Sequence, residues 1–391
     1  MIQWLSRLLQ PRDKVAIAEW RTKYSIYRDI KVNVDDTGKL PEEYTLPDDV
    51  KIAINERKKK KASIYDVVFE FGQEESILED VRELAKKLEH ISITGDKKTA
   101  AEFYGMVTQY KDVINLIDPF LEEISNYSLV IEPHLFAFAN DMALNTGHKN
   151  CVKFGIAILG LCQNQVTIEK LKTIGLHEEF TLYVVIALLN LRENPEKDLL
   201  ELGQQVTGWG KIQLVDRLAR IGKTKALKQW LLTDGYKNDI HNQHLACTCA
   251  VYGELSTKMA TQSIDAELYI AASEIFDVLL SPGPCCENIS CYEDAPKALS
   301  AFIKHSYQHA NHIKDFILLH KIKEYLWDIL LDTKRDNLWT DRKITDALLT
   351  ISKITDCDTW KVIVTNILVN PYDKNYPEAR EAAALMGLTA I

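Results

Sequence analysis

Residues 154–162 read FGIAILGLC, and residues 183–191 read YVVIALLNL. Each is a run of apolar side chains long enough to fill one buried face of a helix and too broken by polar residues to be anything longer. The same kind of segment returns at 212–221 (IQLVDRLARI), 241–251 (HNQHLACTCAV), 269–280 (YIAASEIFDVLL) and 298–310 (ALSAFIKHSYQHA). Successive starts lie 29, 29, 29, 28 and 29 residues apart. Between them stand shorter amphipathic stretches and glycines, among them Gly147, Gly175, Gly208, Gly210, Gly222, Gly235 and Gly253, where helix ends commonly take a residue at positive φ. A fixed period of this size marks repeated helix pairs that bury their apolar faces against neighbours.

The fold class expected from this reading is mainly α: a right-handed α-solenoid of HEAT-like helical repeats with a period of about 29 residues. The cleanest unit is 207–236, TGWGKIQLVDRLARIGKTKALKQWLLTDGY. In it Thr207 is a cap, Trp209 closes the preceding layer, and Trp230, Leu231 and Leu232 carry the buried face of a second helix. Trp209, Trp230 and Tyr236 are the side chains whose loss is expected to harm the fold most. Later units are less regular. Residues 281–291 (SPGPCCENISC) replace a second helix with a loop, 327–344 stretch the interval, and the small-residue helix at 378–388 is suited to a terminal cap.

The amino-terminal third reads differently, and a boundary is expected near residue 145, dividing 1–145 from a repeat array at 146–391. Segments 29–34 (DIKVNV) and 49–55 (DVKIAIN) alternate apolar and polar residues around Gly38, Pro41 and Pro47, which predicts a short hairpin or two irregular strands and hence a small α+β unit. Helices are expected at 76–89 and, as one element, at 99–121 with Pro119 near its end. The basic run 57–61 (RKKKK) reads as a solvated loop.

Composition bounds the function. The chain has 391 residues, 46% hydrophobic and 26% charged, with 47 basic against 56 acidic side chains and a formal charge of −9. Such a balance disfavours nucleic acid and anionic lipid as general partners. No apolar run approaches the ~20 residues of a membrane span, and 1–14 is too short and mixed for a secretory signal. Cytoplasmic localisation is expected, and Cys151, Cys162, Cys247, Cys249 and Cys357 fit it as free thiols in apolar helical segments.

Within 208–251, the strings WGKI, VDRL, KQWLL, DGYKN and LAC, beginning at Trp209, Val215, Lys228, Asp234 and Leu245, resemble a stretch of the Bacillus and Clostridium proteins named limonene hydroxylase. The resemblance covers most of the chain, and this block is its specific part. It implies oxidation of limonene to carveol and perillyl alcohol, with further dehydrogenation to carvone and perillyl aldehyde. It also implies a nicotinamide donor with a flavin or metal to activate dioxygen. It carries no catalytic motif that maps onto individual residues.

Read for that chemistry, the chain has no G-x-G-x-x-G after a strand and no glycine-framed haem cysteine. The nearest approach to a metal site is His305, His309 and His312 in KHSYQHANH. Steps of four and three place all three on one helical face, and Cys285, Cys286 and Cys291 precede them with thiolates suited to zinc, iron or copper. The competing account is a solvated helix face, since three histidines along one helix are nearly collinear and do not close a tetrahedral site alone. His241, His244, Cys247 and Cys249 form a second cluster, for which buried packing is the simpler account. Two functions therefore stand: a limonene-oxidising enzyme, and a non-enzymatic scaffold that binds a protein or peptide on a concave face lined by second helices.

Overall fold

The computed structural model describes residues 24–46, 74–240, 243–281, 288–331 and 339–388. Among them lie nineteen α-helices and no strand. They fall into two compact units, Met1–Leu214 and Val215–Ile391.

The first unit begins with α1 (Ile26–Asn33), the place where the sequence pattern predicts a strand at 29–34. The Ser25 hydroxyl accepts from the Arg28 amide and caps the first turn. Ile26 and Ile30, one helical turn apart, are fully buried, whereas Val32, which belongs to the period-two pattern, is exposed. Burial of one turn-spaced pair decides the conformation, and the alternation is incidental. The second expected strand, 49–55, lies outside the described residues.

The unit continues with α2 (Glu74–Thr94), α3 (Lys97–Val107), α4 (Ile114–Ile124), α5 (Phe136–Leu144), α6 (Lys149–Leu159), α7 (Ile168–Gly175), α8 (Glu178–Leu191) and α9 (Glu196–Gly203). The single helix expected at 99–121 is two. α3 stops at Val107, and α4 starts afresh at Ile114, whose amide donates to the Asp112 carboxylate at 2.8 Å. α2 packs on α3 and α4, α5 on α6, α6 on α8, and α7 on α8 and α9. Phe103, Phe120, Phe138 and Phe154 meet edge to face in the core, with centroids 5.1 to 6.1 Å apart. α5 and α6 approach closely because Gly155 lacks a side chain: a Cβ there would lie 2.5 Å from the Ala143 backbone nitrogen.

Helix α10 (Gly208–Ile221) contains the division between the units. The second unit holds α11 (Lys225–Trp230), α12 (Gln243–Tyr252), α13 (Leu255–Met259), α14 (Ala266–Leu280), α15 (Ala295–His309), α16 (Ile313–Leu331), α17 (Asp341–Thr355), α18 (Asp358–Leu368) and α19 (Tyr376–Leu385). Here α12 packs on α14 and α14 on α16, beside a second file in which α13 packs on α15 and α15 on α17; nearer the end α16 also packs on α17 and α19, and α18 on α19. The apolar segment 298–310 therefore belongs to the second file, although its 29-residue offset from 269 puts it in register with the first. Within 281–291, residues 289–291 form a short 3-10 turn ahead of α15, and 282–287 lie outside the described residues.

Of the glycines expected at left-handed helix ends, only Gly208 has positive φ, at +66°. Gly175, Gly222 and Gly253 serve contact instead, since a Cβ on each would press on Val184, Leu227 and Leu232 respectively.

Candidate functional site

The three histidines do not share a helix face. α15 ends at His309, with Ala310 already extended at φ −69° and ψ 112°, so His312 sits in the link to α16. His305 is buried, its Nε2 3.0 Å from the Met259 carbonyl at the end of α13. The His309 ring stacks on Tyr269 with centroids 5.2 Å apart. His312 Nδ1 accepts from the Lys314 amide, while the Asp315 carboxylate accepts from the amides of Asn311 and His312. Each ring thus has separate structural work. Cys291 is exposed at the end of a short 3-10 turn; Cys285, Cys286 and His241 lie outside the described residues. Cys247 and Cys249 are buried in α12. Among the described residues no group of three or more His, Cys, Asp or Glu side chains is placed to hold a metal ion.

His305 instead forms part of an open groove of about 500 Å³ along α15, bounded by the end of α13 and the first turn of α17. α15 presents Lys297, Ser300, Lys304 and Gln308 to it at steps of three and four, which is one helical stripe. The floor is apolar at Met259, Ala260 and Ala301, Gln262 follows α13, and Lys343 comes from the first turn of α17. The contact between His305 and the Met259 carbonyl ties the end of α13 to α15. Among the described residues, three lysines and no carboxylate line this groove, and the three are exposed. In a chain of net charge −9, the groove is a local cationic surface.

The most unusual group in the first unit is Lys153, a lysine 0% exposed in the middle of α6. Its Nζ lies 2.7 Å from Asp112 and 2.6 Å from Glu179, and 5.4 Å from the centroid of the Tyr183 ring. Burial alone disfavours its charge, but Glu179 and Asp112 outweigh that and hold its pKa above the ordinary lysine range. Burial likewise acts to raise the Glu179 pKa, yet Lys153, helped by Lys149, brings it below the usual carboxylate range. Glu179 stands in the first turn of α8, where the amino-terminal helix field favours a carboxylate as well. Asp112 joins the centre to the start of α4, since its other oxygen accepts the Ile114 amide. The buried Tyr183 hydroxyl makes no hydrogen bond, and burial with the nearby carboxylates keeps it protonated. Sequence reasoning missed this centre. Its one local sign is a lysine set between Val152 and Phe154 in an apolar helix, because its partners come from distant segments.

The block 208–251 is mostly packing. Trp230, Leu231, Leu232 and Tyr236 are buried, while Trp209 is half-buried. The Trp209 amide donates to Glu178 Oε2 at 3.2 Å, and the Tyr236 hydroxyl donates to Glu274 of α14. Arg220 pairs with Asp216 at 2.8 Å on an exposed helix face, an ordinary i,i+4 contact. Comparison of the chain with protein-family models, with curated proteins and with solved structures finds no match.

Proposed function

We propose that this chain is a non-enzymatic helical-repeat scaffold whose second-file helices form a face that binds a protein or peptide. In this reading the repeats form a right-handed HEAT-like solenoid beginning near residue 145, in the cytoplasm. What supports it is the alternate packing of α12 on α14, α14 on α16, α13 on α15 and α15 on α17, which sets α15 between α13 and α17. The observation that carries it is the open groove along α15, between the end of α13 and the first turn of α17, whose lining carries three exposed lysines. Stacked helix pairs bury their faces on each other and present such elongated surfaces to partners.

The competing reading is the limonene oxidation implied by the resemblance of 208–251. Most of the side chains that carry that resemblance are buried among neighbouring helices, which accounts for them as core residues. Two experiments on purified protein decide between the readings. Selection from a displayed random-peptide library is expected to converge on a family of binders with saturable affinity. Gas chromatography after incubation with limonene, air, a nicotinamide donor, flavin and iron is expected to give no carveol or perillyl alcohol. Convergence failing while either alcohol appears would replace the scaffold with the enzyme.

A further inference from the structure

The groove along α15, between the end of α13 and the first turn of α17, has a chemistry specific enough to name its occupant, given the scaffold reading on which this step rests. Lys297 and Lys304 are seven residues apart on α15, two turns of helix, so they lie on one face with Cα positions about 10.5 Å apart along the axis. A peptide extended as polyproline II advances about 3.1 Å per residue and returns to the same face every three residues, so side chains three residues apart stand on one side about 9 Å from each other. The two spacings are close. Lys343 of α17 supplies a third cation, and Gln262 and Gln308 offer amide donors and acceptors to a backbone whose own polar groups are unpaired.

We propose that this groove docks an extended acidic peptide segment of a partner protein, with two carboxylates three residues apart seated on Lys297 and Lys304. Lys343 takes a further acidic side chain or a carbonyl, and small side chains of the peptide face the floor of Met259, Ala260 and Ala301. A peptide is favoured over a polyanion because the groove offers three cations while the whole chain carries −9. A nucleic acid reaching beyond the groove meets that negative field, whereas a short peptide brings only the charges the groove can match.

The test is fluorescence anisotropy with the full chain and labelled proline-containing peptides whose glutamates are three residues apart. Saturable binding is expected at about 50 mM salt, weakening markedly at about 500 mM. Each of Lys297→Ala, Lys304→Ala and Lys343→Ala is expected to weaken it about threefold to fivefold, and the triple variant more than tenfold. Lys225→Ala, on α11, is expected to leave it unchanged. All three groove lysines are exposed, and matching circular dichroism and melting curves would establish that the variants fold. A peptide with adjacent glutamates is expected to bind less tightly than one with the three-residue spacing.

Equal binding by the triple variant would overturn the proposal. So would preference for an alanine-rich helical peptide with glutamates seven apart, or tighter binding of a single-stranded oligonucleotide. Peptides selected from the random library separate the two levels of inference. Binders insensitive to the three lysine substitutions remove the groove and leave the scaffold, whereas absence of any selected binder removes both.

Discussion

Replacing Lys153 with methionine keeps much of the side-chain length and apolar stem but deletes the ammonium group. Asp112 and Glu179 each hold that group at 2.6 to 2.7 Å, so their oxygens are no farther apart than the two contacts laid end to end. The substitution leaves two carboxylates facing each other with no counter-ion, at side-chain exposures of 21% and 27%. Breaking a buried ion pair by removing one partner costs about 3 to 5 kcal/mol, and partial access of water to the carboxylates sets the expectation at the lower end, about 3 kcal/mol. For a unit of roughly 200 residues that is a fall in Tm of about 6 to 12 °C.

The pH dependence identifies the cause. Glu179 has a depressed pKa in the folded chain, so its contribution is present above the unfolded value of about 4.3 and is lost as pH falls through the folded value. Lys153 has a raised pKa, so its contribution is complete below about 10.4 and is lost as pH rises through the folded value. The deficit of Lys153→Met relative to the parent is therefore largest between about pH 5 and 10 and shrinks in acid and in strong alkali. Scanning calorimetry across that range, with urea unfolding as a second measure, reads it directly. A loss below about 1 kcal/mol, or a deficit that does not change with pH, would refute the assignment of Lys153 as a compensated buried charge.

Other consequences concern packing. Gly155→Ala is expected to destabilise the chain by about 1 to 3 kcal/mol, because its new Cβ meets the Ala143 backbone at 2.5 Å. Gly105→Ala, where nothing lies within 4 Å of the new atom, is expected to stabilise by about 0.5 to 1 kcal/mol; a Gly155→Ala variant that melts no lower than the parent would contradict the α5–α6 contact. Trp230→Ala and Tyr236→Ala are expected to cost about 3 to 5 kcal/mol, and the half-buried Trp209 less. Equal losses in urea titrations would put Trp209 in the core. In native-state alkylation read by mass spectrometry, Cys291 and Cys357 are expected to react, being exposed. Cys151 and Cys162 stay protected, since both are buried and burial pushes the Cys162 thiol up to about 12; rapid labelling of either would contradict the placement of α6.

The helices of the repeated segments were legible because their evidence is local: apolar residues at turn spacing, repeated at a steady interval. What was not legible depends on partners far along the chain. Segment 29–34 carries a strand-like alternation, but Ile26 and Ile30 find a core to enter and Ser25 supplies a cap. The break between α3 and α4 rests on the side chain of Asp112, which no periodicity reveals. The one-face grouping of the histidines needs a helix through His312, and the chain turns extended one residue after His309. Within the groove, Lys297, Ser300, Lys304 and Gln308 are visible in the sequence as one polar stripe. That α13 and α17 flank this stripe follows only from the packing of helices on the next but one. Lys153 was invisible for the same reason, as its carboxylates lie on other elements.

The central claim is that the second-file helices of 215–391 form a binding face. Hydrogen–deuterium exchange of the full chain with and without the proline-containing acidic peptide tests it most directly. The account predicts that the peptide slows exchange at 259–262, 296–308 and 341–345, and that the protection disappears in the Lys297/Lys304/Lys343 triple alanine variant. Protection confined to other segments, or protection that survives in that variant, would contradict it.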